Sequence, residues 1–260
     1  MKDINNINSN NRYSRQIMLE DFGIKNQKKL NKAKILVVGA GGLGSSVLFY
    51  LAAAGVGTLG IVDYDIVTIT NLNRQIIHNT KDIGIDKVIS SEDKIKLLNP
   101  EVNVIKFIEK LTINNINSIV KRFDIVVDCS DNFITRYLVS DCCYFLKKPV
   151  IEGSVSDYDG IVMTIIPDET PCYRCLYKEP EEELLYNLEQ QGILGALAGV
   201  IGSIQALEAI KVITDIGNTI SGRILSFDSK KTFFREIKWK KRNECPLCGE
   251  NPKIKKLFQY

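Results

Sequence analysis

Two CxxC pairs, Cys172/Cys175 and Cys245/Cys248, are the residues of this sequence best suited to holding a metal. Four thiolates match tetrahedral zinc (Zn2+). An all-cysteine set leaves no open position for water, so such a site is structural. The competing chemistry is thiol redox exchange within one pair. The pairs lie far apart in sequence, so a shared centre would clamp the end of the chain onto the first cysteine loop. Cys129, Cys142 and Cys143 remain outside the pairs and read as small buried apolar residues.

A second group suits phosphate. In GAGGLG, Gly39, Gly41 and Gly44 fit GxGxxG between the apolar run KILVV and a helical stretch. Glycine lets the backbone turn tightly and approach phosphate oxygens, with the N–H groups of the helix start facing the anion. Asp63 ends the next strand, nineteen residues after Gly44, where a carboxylate can accept from ribose hydroxyls. The motif alone does not choose between NAD, FAD and ATP, and a tight turn without ligand has the same glycines. The long polar stretch after Asp63 sets Arg74 among Asn71, Asn73 and Gln75 and ends at Lys87. Hydride transfer has little need of such cations, whereas triphosphate chemistry builds charge they can stabilise. The plain alternative is a solvated loop. Asp131 and Asn132 follow the strand FDIVVD. Asp131 could hold Mg2+ against phosphate oxygens, or either residue could cap the next helix.

These groups need a scaffold that gathers strand ends. From Lys34 to about Val155, short β-branched runs (KILVV, LGIVDYD, VNVIKFI, FDIVVD, KPVIEGSV) alternate with helical stretches (SSVLFYLAAAG, EDKIKLLN, INSIVKR, RYLVSDCCYFLKK). That alternation predicts an α/β fold: a Rossmann-like, doubly wound, mostly parallel sheet. DGIVMTIIP, and GRILSFD with TFFREIKW as an antiparallel hairpin, extend the sheet. Residues 1–11, polar and Asn-rich, read as a disordered tail. Residues 12–260 read as one domain, with a nucleotide-binding half (30–150) and a second half (151–250) that carries the cysteines. The balance of 34 basic and 31 acidic residues gives no field for nucleic acid or a membrane surface. The longest apolar stretch, 192–213, is broken by Gln205, Glu208 and Lys211 and reads as a buried helix. No signal peptide is visible, so a cytoplasmic protein without disulfides is expected.

RYSRQIMLEDFG, GAGGLG, DYDIVTITNLNRQ, IGIDK, DCSDN, PCYRCLY, GVIGSIQALEAIK and CPLCG together resemble the MoeB/ThiF/HesA group, bacterial relatives of ubiquitin-activating enzymes. The resemblance runs from Arg12 to Gly249 and leans toward the molybdopterin-synthase adenylyltransferases. It implies an enzyme that binds ATP with Mg2+ and adenylates the C-terminal glycine carboxylate of a ubiquitin-fold sulfur-carrier protein ending in Gly-Gly, releasing pyrophosphate. The carrier would be the molybdopterin synthase small subunit or the thiazole-synthesis carrier, docked on the second half of the chain. The resemblance further implies a homodimer in which Arg15 reaches into the partner's ATP site. Arg74, Lys87 and Asp131 correspond to phosphate and magnesium residues, and Gly42, Asp63, Asn71, Gln75 and Asn132 to other nucleotide contacts. The four cysteines correspond to the zinc ligands.

Several relatives carry a cysteine, after the first zinc pair, that captures the carrier covalently. Here that stretch is YKEPEEELLYNLEQQGILG, with Leu188 or a neighbour at the matching place and no thiol anywhere in it. The expectation is an enzyme that stops at the adenylate and relies on a separate sulfurtransferase. No rhodanese-like domain is visible before Tyr260. The acidic run Glu179–Glu183 reads as a solvated loop, or as a flap over the carrier's tail. The attacking carboxylate is already ionised near neutral pH, so no general base is needed, consistent with a single histidine, His78. Two other readings compete. An NAD-dependent oxidoreductase would leave Arg15, Arg74, Lys87 and Asp131 without purpose, and a silent scaffold subunit would have lost them.

Overall fold

Five short apolar runs form the parallel part of the sheet. The structure is a computed structural model that describes residues 12–178 and 192–258. In it β1 (Lys34–Val38), β2 (Thr58–Val62), β3 (Asn103–Phe107), β4 (Ile125–Asp128) and β5 (Val150–Ser156) run parallel. β6 (Asp159–Ile165), β7 (Arg223–Asp228) and β8 (Phe233–Lys238) continue the same sheet antiparallel, in the order β3-β2-β1-β4-β5-β6-β7-β8. The expected mixed architecture is thus one eight-stranded sheet. The expectations for the tail 1–11, the acidic run Glu179–Glu183 and Leu188 lie outside the described residues.

Strand alternation sorts the core into two layers. Ile35 and Val37 face one side, with Leu48 and Leu51 of α3 (Gly42–Ala54) and Ala198 and Ile201 of α8 (Gly195–Thr214). Leu36 and Val38 face the other, with Ile119 of α5 (Ile116–Val120) and Tyr137 and Val139 of α6 (Phe133–Leu146). Each fully buried aliphatic side chain here contributes roughly 1.5–3 kcal/mol. α8 is long and apolar enough to cross a membrane by length and composition, yet it packs here on α3, β5 and β6. Its small residues permit that approach: a Cβ on Gly202 would stand 2.5 Å from the Leu43 carbonyl oxygen. Its buried Glu208 accepts from Thr164 at 2.7 Å and from the Ile220 N–H at 2.8 Å.

Two helices precede the sheet, α1 (Ser14–Ile17) and α2 (Gly23–Lys32), and the short α7 (Tyr173–Leu176) lies in the first cysteine loop. α4 (Lys87–Leu98) starts earlier than EDKIKLLN suggests. No side chain caps it. Instead the Lys87 N–H donates to the Asp65 carbonyl and Asp86 bridges to Ile66, so tertiary pairing fixes the start. Periodicity cannot see such a start.

Candidate functional site: the switch point of the sheet

β1 lies between β2 and β4, so the chain leaves the sheet centre in opposite directions on its two sides. Ligands of doubly wound sheets bind outside the strand carboxyl ends at that point. The glycine loop is there. Gly39 has φ +92°, and a Cβ on it would meet the Cys129 carbonyl oxygen at 3.0 Å. A Cβ on Gly44 would sit 2.0 Å from the Gly39 carbonyl oxygen, so only glycine closes this turn. Gly41 precedes α3 without a side-chain cap, leaving the first N–H groups of the helix for an anion. Gly42 packs against α8, its Cβ position 3.1 Å from Ala198 Cβ.

Asp63 is tied into this loop. Its Oδ2 accepts from the Ala40 N–H at 2.8 Å and its Oδ1 from the Asp65 N–H at 2.9 Å. Burial pushes its pKa up, and the Lys87 ammonium opposes that. Each oxygen keeps a lone pair for a ribose hydroxyl. Buried Lys87 stands at the first turn of α4, with Nζ 2.7 Å from Asp65. Arg74 donates through Nη1 to the Thr70 carbonyl at 2.9 Å, and its stem lies against the Gly42 and Gly195 backbone. Gln75 is buried beside Gly41 with its Oε1 unpartnered among the described residues. Asn71 is engaged in its own turn, its Oδ1 accepting from the Thr68 N–H at 3.0 Å. Asn132 is the N-cap of α6, accepting from the Thr135 N–H at 2.9 Å. Asp131 is exposed, and among the described residues its hydrogen-bond neighbour is Asn132 Nδ2 at 3.5 Å. The capping reading of this Asp-Asn pair thus falls to Asn132.

The loop glycines, Asp63, Arg74, Gln75, Lys87, Asp131 and Asn132 thus lie on the carboxyl ends of β1, β2 and β4 or the segments that leave them. Arg15 does not join them. Its neighbours Tyr13 and Gln16 pack at the far end of α3, under Gly55 and on the Ala54 carbonyl. Thirteen helical residues separate that end from the loop, roughly 20 Å.

His78 belongs to the site although no spacing announced it. Its ring is buried between the Ser90 hydroxyl (Nδ1, 2.8 Å) and the Ala40 carbonyl (Nε2, 3.0 Å). Nε2–H donates to Ala40 and Nδ1 accepts from Ser90, which is the neutral ring. Burial lowers its pKa. With Asp63 holding its N–H and His78 its carbonyl, Ala40 is fixed on both sides. The linkage has a definite sign. Below about pH 6.5 the unfolded chain binds a proton that the native ring refuses, so this stability is lost as pH falls. Thermal melts at pH values from about 7 to 5 are expected to fall more steeply for wild type than for His78→Gln.

The cysteines meet at the other end of α6. Cys172 and Cys245 Sγ are 3.5 Å apart, Cys175 and Cys248 3.3 Å, and Cys172 and Cys175 3.9 Å. All four sulfurs lie within 4.8 Å of one another. Zinc with Zn–S of about 2.3 Å would set them about 3.8 Å apart, so the cage fits tetrahedral zinc. The Arg242 N–H points at Cys175 Sγ at 3.5 Å. Arg174, inside the first pair, makes a two-pronged contact to Asp141 of α6, Nε and Nη2 each 2.8 Å from a carboxylate oxygen, both residues buried. Cys129, Cys142 and Cys143 are buried outside the cage, as their apolar reading implies.

Fold and site define a class: a nucleotide-binding α/β domain with a glycine loop, a basic segment after β2, and a four-cysteine centre that ties down its antiparallel end. The chain belongs to the ThiF family, whose model matches residues 13–247. Similar curated proteins include the adenylyltransferase and sulfurtransferase MOCS3 of Culex quinquefasciatus, 44% identical over 99% of this chain and 60% of that one. MOCS3-1 of Zea mays is 44% identical over 92% of this chain and 52% of that one. The chain thus spans about half to 60% of the length of these relatives. Among solved structures, E. coli MccB with ATP has a TM-score of 0.81 at 23% identity, covering 92% of this chain and 75% of that one.

Proposed function

We propose that this chain is an ATP-dependent adenylyltransferase that activates the C-terminal glycine carboxylate of a ubiquitin-fold sulfur-carrier protein. The observation that carries the reading is the assembly of the glycine loop, Arg74, Lys87 and Asp131 at one sheet switch point, supported by the MOCS3 relatives. The carrier carboxylate attacks the α-phosphorus of ATP. A carboxylate–phosphorus bond forms, the bond to the bridging oxygen breaks, and pyrophosphate leaves. Both reactants are anionic, so the barrier is electrostatic. The helix start at Gly42 receives phosphate oxygens. Lys87 can exchange Asp65 for a phosphate, and Arg74 can turn its guanidinium onto the leaving group. Exposed Asp131 would hold Mg2+, and the ion would supply charge neutralisation at the phosphates.

Arg15 lies too far from its own loop to serve it, which favours a homodimer with Arg15 supplied across the interface. The half 30–150 would bind nucleotide and the half 151–250 the carrier, with zinc holding the latter in shape. No cysteine lies between Cys175 and Cys245 to capture the carrier, so sulfur transfer falls to a separate sulfurtransferase. A reducing compartment, the cytoplasm, suits seven cysteines that form no disulfide among the described residues.

The test combines the protein, ATP with Mg2+ and candidate carriers ending in Gly-Gly, without a sulfur source. The expected result is pyrophosphate release and a carrier heavier by one AMP, with no covalent enzyme–carrier adduct. No pyrophosphate with any carrier, or reduction of NAD by any substrate, would overturn the reading.

A further inference from the structure

Beneath α6 lies a charged cluster that the proposed chemistry does not use. Asp128 ends β4, and Glu152 of β5 stands directly opposite it in the parallel register. Both are completely shielded from solvent. Paired residues of parallel neighbours point to the same face, here that of α6, from which buried Arg136 comes. The two carboxyl groups thus lie side by side on one face of neighbouring strands. Asp128 Oδ2 and both Glu152 oxygens have no hydrogen-bond partner among the described residues. A hydrogen bond between the two carboxyls would satisfy them, and it needs one proton.

Charge balance leads to the same place. One guanidinium, Arg136, balances one carboxylate, and a second buried carboxylate would be uncompensated. The other titratable groups facing Glu152 are Cys143 of α6, Cys129 of the turn after β4, and Tyr173 and Tyr177 of the first cysteine loop. Burial pushes all four pKa values up, so they stay neutral and contribute no charge. Burial and Asp128 likewise push the Glu152 carboxyl well above the usual range.

The cluster grips the turn that carries Asp131. The Ser130 N–H donates to Asp128 Oδ1 at 2.8 Å, and Arg136 Nη2 donates to the Ser130 carbonyl. Asp131 is the next residue. We infer that Glu152 is a positioning residue for Asp131: its neutral carboxyl donates to Asp128 and keeps Asp128 aligned to hold the Ser130 turn. The inference rests on the adenylyltransferase reading for the role of Asp131, but not for the protonation of Glu152.

Two variants separate the proton from the shape. In Glu152→Gln an amide N–H replaces the acid proton and cannot ionise. In Glu152→Val the donor is gone. Glu152→Gln is expected to release pyrophosphate within about twofold of wild type and to lose the alkaline decline that deprotonation of the pair gives wild type. Glu152→Val should fall about tenfold or more, because Asp128 Oδ2 is left bare. Equal losses in the two variants, or a wild-type rate and pH profile in Glu152→Val, would overturn the inference.

Two further readouts need no carrier. Infrared spectra at neutral pH should show a protonated-carboxyl band in wild type that is missing in Glu152→Gln; its absence from wild type would overturn the proposal. Melts give the sign independently. The native state keeps a proton that the unfolded chain releases above about pH 4.5, so wild type should lose stability relative to Glu152→Gln as pH rises from there. If wild type releases no pyrophosphate, the activity reading fails by itself. Mg2+-dependent binding of a fluorescent ATP analogue then replaces the rate. Weaker binding in Glu152→Val alone supports the role, and no binding by wild type removes it.

Discussion

Arg15→Ala and Asp131→Asn proteins are each expected to release pyrophosphate about a hundredfold or more slowly than wild type, the usual scale for removing one group that stabilises transition-state charge. A one-to-one mixture of the two, refolded or co-expressed so that subunits exchange, is expected to recover about a quarter of wild-type activity. The fraction follows from geometry. Arg15 stands roughly 20 Å from the glycine loop of its own chain, at the end of α3 that Tyr13 and Gln16 cover. If it serves the partner's site, half of the random dimers are mixed. Each mixed dimer has one site with both residues and one site with neither. Activity that stays at the level of the parents would mean that Arg15 does not act across an interface. Loss in Asp131→Asn alone would keep the phosphate chemistry and remove the arginine from it.

How much of this was legible in the sequence depended on whether a residue acts through local pattern or through contacts made far away in the chain. GAGGLG was readable because the constraint is local: a Gly44 Cβ would strike Gly39, five residues back. The strands were readable because alternation and β-branching are local too. The four cysteines were readable as a set because zinc demands a fixed number of thiolates. His78, Glu152 and the Arg174–Asp141 pair were not. His78 matters only because folding lays it on Ala40. Glu152 matters only because β5 pairs with β4 in one register. Asn71 and Asn132 show the reverse: both were read through resemblance as nucleotide contacts, and each spends its Oδ1 on its own turn. The Asn71 Nδ2 remains for a ligand, while the Asn132 Nδ2 lies 3.5 Å from Asp131 Oδ1. Asp63 does both kinds of work, since its backbone partners leave one lone pair on each oxygen.

Stripping the four-cysteine centre is expected to lower the melting temperature by about 10 °C or more, read by calorimetry before and after a strong chelator. The magnitude follows from what the cage holds. Among the described residues, Cys245 and Cys248 are buried against the first pair and a few neighbours, including Leu247 and Ile254, in a cluster separate from both main cores. That satellite cluster is too small to fold alone, so a bound metal would supply most of its stability. The remaining domain keeps its two large cores, so the loss should be partial unfolding rather than collapse of the whole chain. Cys245→Ser should match the chelated protein, and zinc should measure about one per chain in the untreated protein. Activity should fall with the cage as well. Arg174 sits between two of the ligands and grips Asp141 of α6, and the N-terminus of that helix carries Asn132 and the turn bearing Asp131. Loss of the cage would release the loop that holds Arg174 against Asp141, and separating such a buried pair typically costs about 3–5 kcal/mol. A redox pair would behave differently: the protein as isolated would hold no zinc, Cys245→Ser would melt like wild type, and activity would follow the thiol–disulfide state.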